Sequence, residues 1–171
     1  VTTPSTQPPL HIRPAIEADL PALTAIYNEV IASSTAVYSD SPVDVADRRA
    51  WWVARTGQGY PVLVADAGEG AIGFSTFGDF RAWPGYRFSV EHSVHVAAGQ
   101  RGGGVGRALV EALFPIAVSL GKHVMLAGVD AENAASIRFH ERLGFEQAGR
   151  LREVGFKFDR YLDLVFLQRF L

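Results

Sequence analysis

Residues 90–113 read VEHSVHVAAGQRGGGVGRALVEAL, and this stretch limits the possible folds more than any other. An alternating apolar run, the period of a half-buried strand, stops at five glycines and two arginines and gives way to a helical pattern. The block from 88 to 128 therefore reads as a strand, a helix and a second strand, parallel to the first and reached by a right-handed crossover. Between strand and helix, glycines let backbone N–H groups approach an anion without a Cβ in the way. The helix N-terminus adds donors and a favourable dipole. Spacing separates the phosphate loops that compete here. Gly106-Arg107-Ala108 lacks the Lys-Ser/Thr of a P-loop, so a magnesium ion and a terminal phosphate would have no ligands. Counted from Gly102 and Gly104, the third glycine of a dinucleotide-binding turn falls on Arg107, and no acidic residue follows at the required distance. A solvated glycine turn without a ligand is the bland alternative.

With 171 residues, 48% of them hydrophobic, the chain is long enough for one substantial core, and residues 10–171 are expected to form a single domain. Residues 1–9, rich in Pro, Ser and Thr, read as a loose tail. LHIRPA gives a first strand, and Asp19-Leu20-Pro21 starts a helix with Leu20, Leu23, Tyr27, Val30 and Ile31 on one face. After the loop ASSTAVYSD, Ser41-Pro42-Val43-Asp44 opens a second helix carrying Trp51 and Trp52 as core residues. YPVLVAD and AIGFSTFGDF form a hairpin around AGEG, and a third strand runs from Arg87 to Val96. Then follow a helix from about Val105 to Leu120, the strand HVMLAGV, a helix from about Asn133 to Leu143, GFEQAGRLREVGF, and a last strand YLDLVFLQRF. The order β-α-α-β-β-β-α-β-α-β-β belongs to an α/β fold. A formal net charge of -2 offers no broad attraction for nucleic acid or anionic lipid, so the expected partner is a small molecule held by local geometry. The absence of cysteine excludes disulfides, thiolate metal sites and a cysteine nucleophile. No run approaches the ~20 apolar residues of a membrane span, and VTTPSTQPPL lacks the basic start and apolar run of a secretion signal, so a cytoplasmic protein is expected.

Arg101-Gly102-Gly103-Gly104-Val105-Gly106 is an Arg/Gln-x-x-Gly-x-Gly/Ala pattern directly after a strand, and with it the sequence resembles the GCN5-related N-acetyltransferase (GNAT) superfamily. The resemblance implies a mixed central sheet flanked by helices, with acetyl-CoA wedged between two splayed parallel strands, 88–96 and 123–128. Its pyrophosphate would lie on the glycine loop with Arg101 and Arg107. NAASIRFHERLGF, residues 133–145, resembles the helix and Gly-Phe strand start that flank the pantetheine arm, which brings in Asn133 and Ser136. Asn133 suits a helix N-cap equally well. IRPAIEADLPALTAIYNEVI, FGDFRAWPGYRFSVEHSVHV, GKHVMLAGVDAENAAS and VGFKFDRYLDLVFLQ resemble the phosphinothricin acetyltransferase branch, including members that acetylate methionine sulfoximine and methionine sulfone. That branch acetylates the α-amine of such inhibitors of glutamine synthetase and so detoxifies them. Its members are commonly homodimers. The apolar last strand offers a surface for that, and core burial explains it equally.

An amine is mostly protonated at neutral pH and must lose a proton before it attacks a thioester. Glu91 matches the branch's glutamate and is the candidate base, with an ion pair to Arg87 as the other reading. By the same resemblance, the oxyanion donor lies in the backbone of Val94, His95 and Val96. His140 stands where many members carry a tyrosine that protonates the leaving thiolate; histidine has a suitable pKa, and packing is the rival role. His92 and His95, three apart in a strand, point to opposite faces and cannot share one ion, so no metal is expected. Arg81 and Arg87 match basic positions suited to a carboxylate or to sulfone oxygens, or they are exposed loop residues. Lys157 is of the same type, and the loop from Thr35 to Tyr38 would lie over the acceptor pocket. Without cysteine, direct ternary-complex transfer is expected. Two rivals remain: the same fold acting on a protein N-terminus, a polyamine or an aminoglycoside, and a silent acyl-CoA-binding sensor. Arg81 and Arg87 argue against cationic acceptors.

Overall fold

The computed structural model describes residues 9–171, so all but the last residue of the expected tail lies outside the described residues. The elements follow in the expected order: β1 (His11–Pro14), α1 (Leu20–Ser33), α2 (Val45–Gly57), β2 (Val62–Asp66), β3 (Ala71–Asp79), β4 (Ser89–Val96), α3 (Val105–Ser119), β5 (Val124–Asp130), α4 (Ala134–Arg142), β6 (Glu146–Lys157) and β7 (Arg160–Phe170). Local chemistry sets their ends. Pro21 sits in the first turn of α1, where its missing N–H costs nothing. α2 starts behind Asp44, whose Oδ1 accepts from Asp47 N at 2.7 Å while Asp47 Oδ2 accepts from Asp44 N at 3.3 Å. This is a capping box with aspartate in the reciprocal place.

The strands form one seven-stranded sheet in the order β1-β2-β3-β4-β5-β7-β6. Every neighbouring pair is antiparallel except β4 and β5. Side-chain alternation sends the two faces into different cores. Leu63, Phe77, Val90, Met125 and Val165 pack against Val105, Leu109, Val110 and Leu113 of α3. On the other face Val62, Val64 and Phe74 meet Leu23 and Ile26 of α1, with Trp51 and Trp52 of α2 partly buried beside them. The tryptophans are packing residues, as the sequence suggests.

The site is positioned by an interruption in this sheet. β4 and β5 pair only from Ser89–Val124 to Glu91–Leu126. β4 nevertheless continues to Val96 against β3, and β5 to Asp130 against β7. Each strand keeps its outer partner while the inner edges part, so a wedge opens in the middle of the sheet. Of the two readings of the last strand, core burial is the one that holds: β7 lies between β5 and β6, and its Leu162, Val165 and Leu167 are buried. The exposed edge is β6, which shows Val154 and Phe156 to solvent.

Candidate active site

Phe80 N donates to Ser89 O and Ala97 N to Ile72 O, so the odd-numbered residues of β4 turn their backbone polar groups toward β3. By alternation His92, Val94 and Val96 turn theirs toward β5. Beyond Glu91 that side has no strand, which leaves the N–H groups of Val94 and Val96 facing the wedge. A cleft of about 630 Å³ runs from these residues to the glycine loop and α4. Gly102 and Gly104 have φ of 84° and 86°, a left-handed conformation that a side chain would strain. A Cβ at Gly102, Gly103 or Gly104 would meet no other atom within 4 Å, so the outer face of the loop is open. Val105 begins α3 with its side chain in the core, and what it offers the loop is backbone at the helix N-terminus. Gly106 lines the cleft beside Phe139. Arg101 donates from Nε to Val96 O (2.9 Å) and from a terminal nitrogen to Glu29 (2.7 Å), and Arg107 pairs with Glu111 (2.9 Å). Both arginines border the cleft. Open glycines, a helix start and two guanidinium groups make a donor set that fits a pyrophosphate.

Asn133 caps α4, its Oδ1 accepting from Ser136 N at 3.0 Å, and both residues line the cleft and a smaller cavity of about 80 Å³ at its inner end. Ala36, Gly128, Asp130 and His140 also border that inner cavity. His140 Nδ1 lies 2.7 Å from Ser136 O. A carbonyl only accepts, so Nδ1 carries the proton and Nε2 of the neutral ring is an acceptor. Burial holds the His140 pKa below the ordinary histidine value, with the Ser136 bond pulling the other way. His92 packs on His140 with ring centroids 5.1 Å apart, and both its nitrogens are sealed from solvent without a partner. Burial, with the neighbouring His140 adding to it, pushes the His92 pKa down to about 3. The His95 ring lies on the opposite face between Tyr27 and Phe74, as the strand spacing requires.

Glu91 points to the face that carries α1 and α2. A Cβ placed on Gly128 would stand 2.9 Å from Glu91 Oε1, so the carboxylate lies against β5 where the strands part. Burial raises the Glu91 pKa, and the charge of Arg81 draws it back. Arg81 lies over Phe80 at 4.6 Å, and Phe80 meets Phe166 edge-on at 5.8 Å. A carboxylate, a guanidinium and two aromatic rings thus share one side of the wedge.

Residues 23–145 match the profile of the Acetyltransferase (GNAT) family. The chain belongs to this family. It is 50% identical over 158 residues to an L-methionine sulfoximine/L-methionine sulfone acetyltransferase of Pseudomonas paraeruginosa, covering 92% of each chain. It is 36% identical to a phosphinothricin N-acetyltransferase of Streptomyces coelicolor, with 94% of this chain and 95% of that one covered. Among solved structures, an acetyltransferase from Salmonella typhimurium with its cofactor acetyl-CoA is 45% identical and superposes with a TM-score of 0.91, covering 95% and 94% of the two chains.

For this GNAT N-acetyltransferase the geometry revises four expectations. His140, neutral and committed as a donor to Ser136, holds no spare proton for a thiolate and leaves Nε2 as an acceptor. His95 borders the cleft, yet its ring faces the α1 side and its N–H turns toward β3, so the wedge donors are those of Val94 and Val96. Arg87 sits at the other end of β4 from the glycine loop, donating to Pro84 O (3.1 Å) while Lys122 donates to its carbonyl (2.7 Å). It neither pairs with Glu91 nor joins Arg81. Lys157 is 1% exposed and donates to Ile31 O, Ser34 O and Val37 O at 2.6, 2.7 and 2.8 Å. An ammonium has three donors, so none remains for a substrate. Thr35 donates to the buried Asp130. Gly128 and Asp130 escaped the sequence reading. A glycine inside the strand HVMLAGV is the signal of a close approach and marks position 128; nothing local marks Asp130.

Proposed function

We propose that this acetyltransferase moves the acetyl group of acetyl-CoA to the α-amine of small amino acids with an oxygen-rich tetrahedral side-chain centre, such as methionine sulfoximine, methionine sulfone and phosphinothricin. The observation that carries the reading is Arg81 beside Glu91: an exposed guanidinium stacked on Phe80, its donors open to carboxylate or sulfone oxygens, next to a carboxylate with a raised pKa. The names of the relatives support the same acceptor class. Gly102–Gly106, Arg101 and Arg107 hold the pyrophosphate, and Asn133 and Ser136 border the arm that reaches inward. Glu91 takes a proton from the ammonium, directly or through one water. Val94 and Val96 N–H groups hold the carbonyl oxygen while nitrogen bonds to carbon and the carbon–sulfur bond breaks with its electron pair on sulfur. His140 accepts the proton shed by the new amide nitrogen and returns it to the sulfur. Acetylation removes the free amine of such inhibitors, so detoxification in the cytoplasm is the role we assign. The described strands all belong to one sheet and act with their helices as a single domain, and a homodimer forms through the β6–β7 edge, where Val154 and Phe156 of β6, Phe158 of the turn and Tyr161 of β7 are exposed.

Thiol release from acetyl-CoA with methionine sulfoximine, methionine sulfone, phosphinothricin, spermidine, kanamycin and a short peptide tests the acceptor. Turnover confined to the first three is expected. Turnover of a cationic or peptide acceptor alone would overturn the assignment, and tight acetyl-CoA binding with no turnover of any would point to a sensor.

A further inference from the structure

The chain between α1 and α2 forms a wall of the site. Ala36 borders both the cleft and the inner cavity, and its neighbours are held in place from the β5, β6 and β7 side of the wedge. An α-helix leaves the carbonyls of its last turn without intrahelical partners. At the end of α1, Val30 O accepts from Ser34 N at 3.1 Å. Ile31 O instead meets the Lys157 ammonium, and so do Ser34 O and Val37 O, which lie beyond the helix. One buried cation thus gathers three carbonyls across seven residues of chain, at the negative end of the α1 dipole. Further holds act on the same loop. Thr35 donates to Asp130, Tyr38 donates to Asp163 O at 3.3 Å, and the Tyr38 ring fills the space a side chain on Gly155 would need.

We infer that Lys157 is a positioning residue for the acceptor site: its ammonium fixes the 34–38 loop as the wall against which the amine substrate is oriented. This rests on the reading of the wedge as an amine-acetylating site, though not on which amine is used. A merely structural lysine would cost stability and leave the kinetic parameters of the folded enzyme alone. A positioning lysine acts on the acceptor first: Ser34 and Ala36 border the cleft and Ala36 reaches on into the inner cavity, while the donors for the pyrophosphate lie on the glycine loop ahead of α3, which Lys157 does not touch.

Lys157→Met keeps the length of the side chain and removes all three donors. In the folded variant, KM for the acceptor should rise about tenfold or more, the loss that small misplacements of a substrate produce. The Kd for acetyl-CoA, read by calorimetry, should stay within about twofold of wild type, since the pyrophosphate site is untouched. Amide exchange at residues 34–38 should accelerate at least about tenfold as local opening becomes cheaper. A wild-type acceptor KM in folded Lys157→Met overturns the inference. Should that variant fail to fold, Thr35→Val removes the bond to Asp130 at nearly constant shape and should show the same split; an unchanged KM there is equally fatal. If the wild-type enzyme acetylates a different amine, the acceptor assignment fails and the split is read with that amine. If it acetylates none, unchanged exchange at 34–38 in Lys157→Met, or in Thr35→Val, overturns the inference.

Discussion

The Glu91 carboxylate occupies volume that any side chain at position 128 would claim, since a Cβ there would stand 2.9 Å from Oε1. A separation below ~3 Å is repulsive, so Gly128→Ala must shift the carboxylate, the strand, or both. The expected outcome is a fall in kcat of about tenfold or more with acetyl-CoA affinity retained, because the displaced group serves the amine and not the cofactor. Equal losses in kcat and in acetyl-CoA binding would mean that β5 itself had moved. Glu91→Gln asks the chemical question directly. Loss of a positioned base costs roughly 10²–10⁴ in rate. Burial raises the Glu91 pKa, and a base works only when deprotonated, so wild-type activity should fall on acidification through a pKa above the ordinary glutamate value. That limb of the kcat/KM profile should vanish in Glu91→Gln; a surviving limb would assign it to another group.

At the level of elements, the glycine loop is the part whose sequence and geometry agree most closely. Gly104 has φ of 86° and is the residue from which α3 starts. An alanine there would hold an unfavourable left-handed conformation at a cost of about 1–2 kcal/mol, or rotate the loop to escape it. Gly104→Ala should therefore lower stability to urea by about that amount, or weaken acetyl-CoA binding about tenfold as N–H groups turn away. A variant unchanged in both would show that the loop's conformation is incidental. This loop could be read beforehand because its chemistry is local: a strand, open glycines and a helix start within one short stretch. The order of elements along the chain was legible for the same reason, through alternation and helical periodicity, although α2 begins at Val45 behind its Asp44 cap and not at Ser41. The wedge was legible only through resemblance, since the alternation of β4 runs unbroken to Val96 and gives no sign that β5 leaves it after Glu91. The long-range partners were not legible. Lys157 in GFKF looks like any surface lysine, and the carbonyls that bind it lie 120 to 126 residues away in sequence. Arg81 and Arg87 lie six residues apart, yet the turn through Pro84–Tyr86 separates them, and only the fold tells which one joins Glu91.

Across the whole molecule, the sheet buries one imidazole on each face, and both must stay neutral for the two cores to close. Burial, reinforced by His140 in one case and by Arg48 in the other, lowers the His92 pKa to about 3 and the His95 pKa to about 4. In the unfolded chain each ring takes a proton near pH 6.5. Between those values the unfolded state holds more protons than the native one, so stability is fully present above about pH 6.5 and drains away as pH falls. Each ring accounts for about 1.4 kcal/mol per pH unit, or about 2 kcal/mol between pH 6.5 and pH 5. His140, also lowered by burial, acts in the same direction, whereas Glu91, raised by burial, opposes it. The carboxylate of Asp19, lowered chiefly by its bond to Arg13, gives up its contribution only as pH falls through the ordinary carboxylate range and below, which leaves this window to the rings. Urea unfolding of the wild-type chain should thus show a loss of several kcal/mol between about pH 7 and about pH 5. The variant with His92→Phe and His95→Phe keeps a ring on each face, with Phe145 still beside one and Phe74 beside the other. It should lose most of that dependence, whatever its stability at neutral pH. An equal acid loss in the double variant would trace the effect to other groups and leave the two buried rings as ordinary packing.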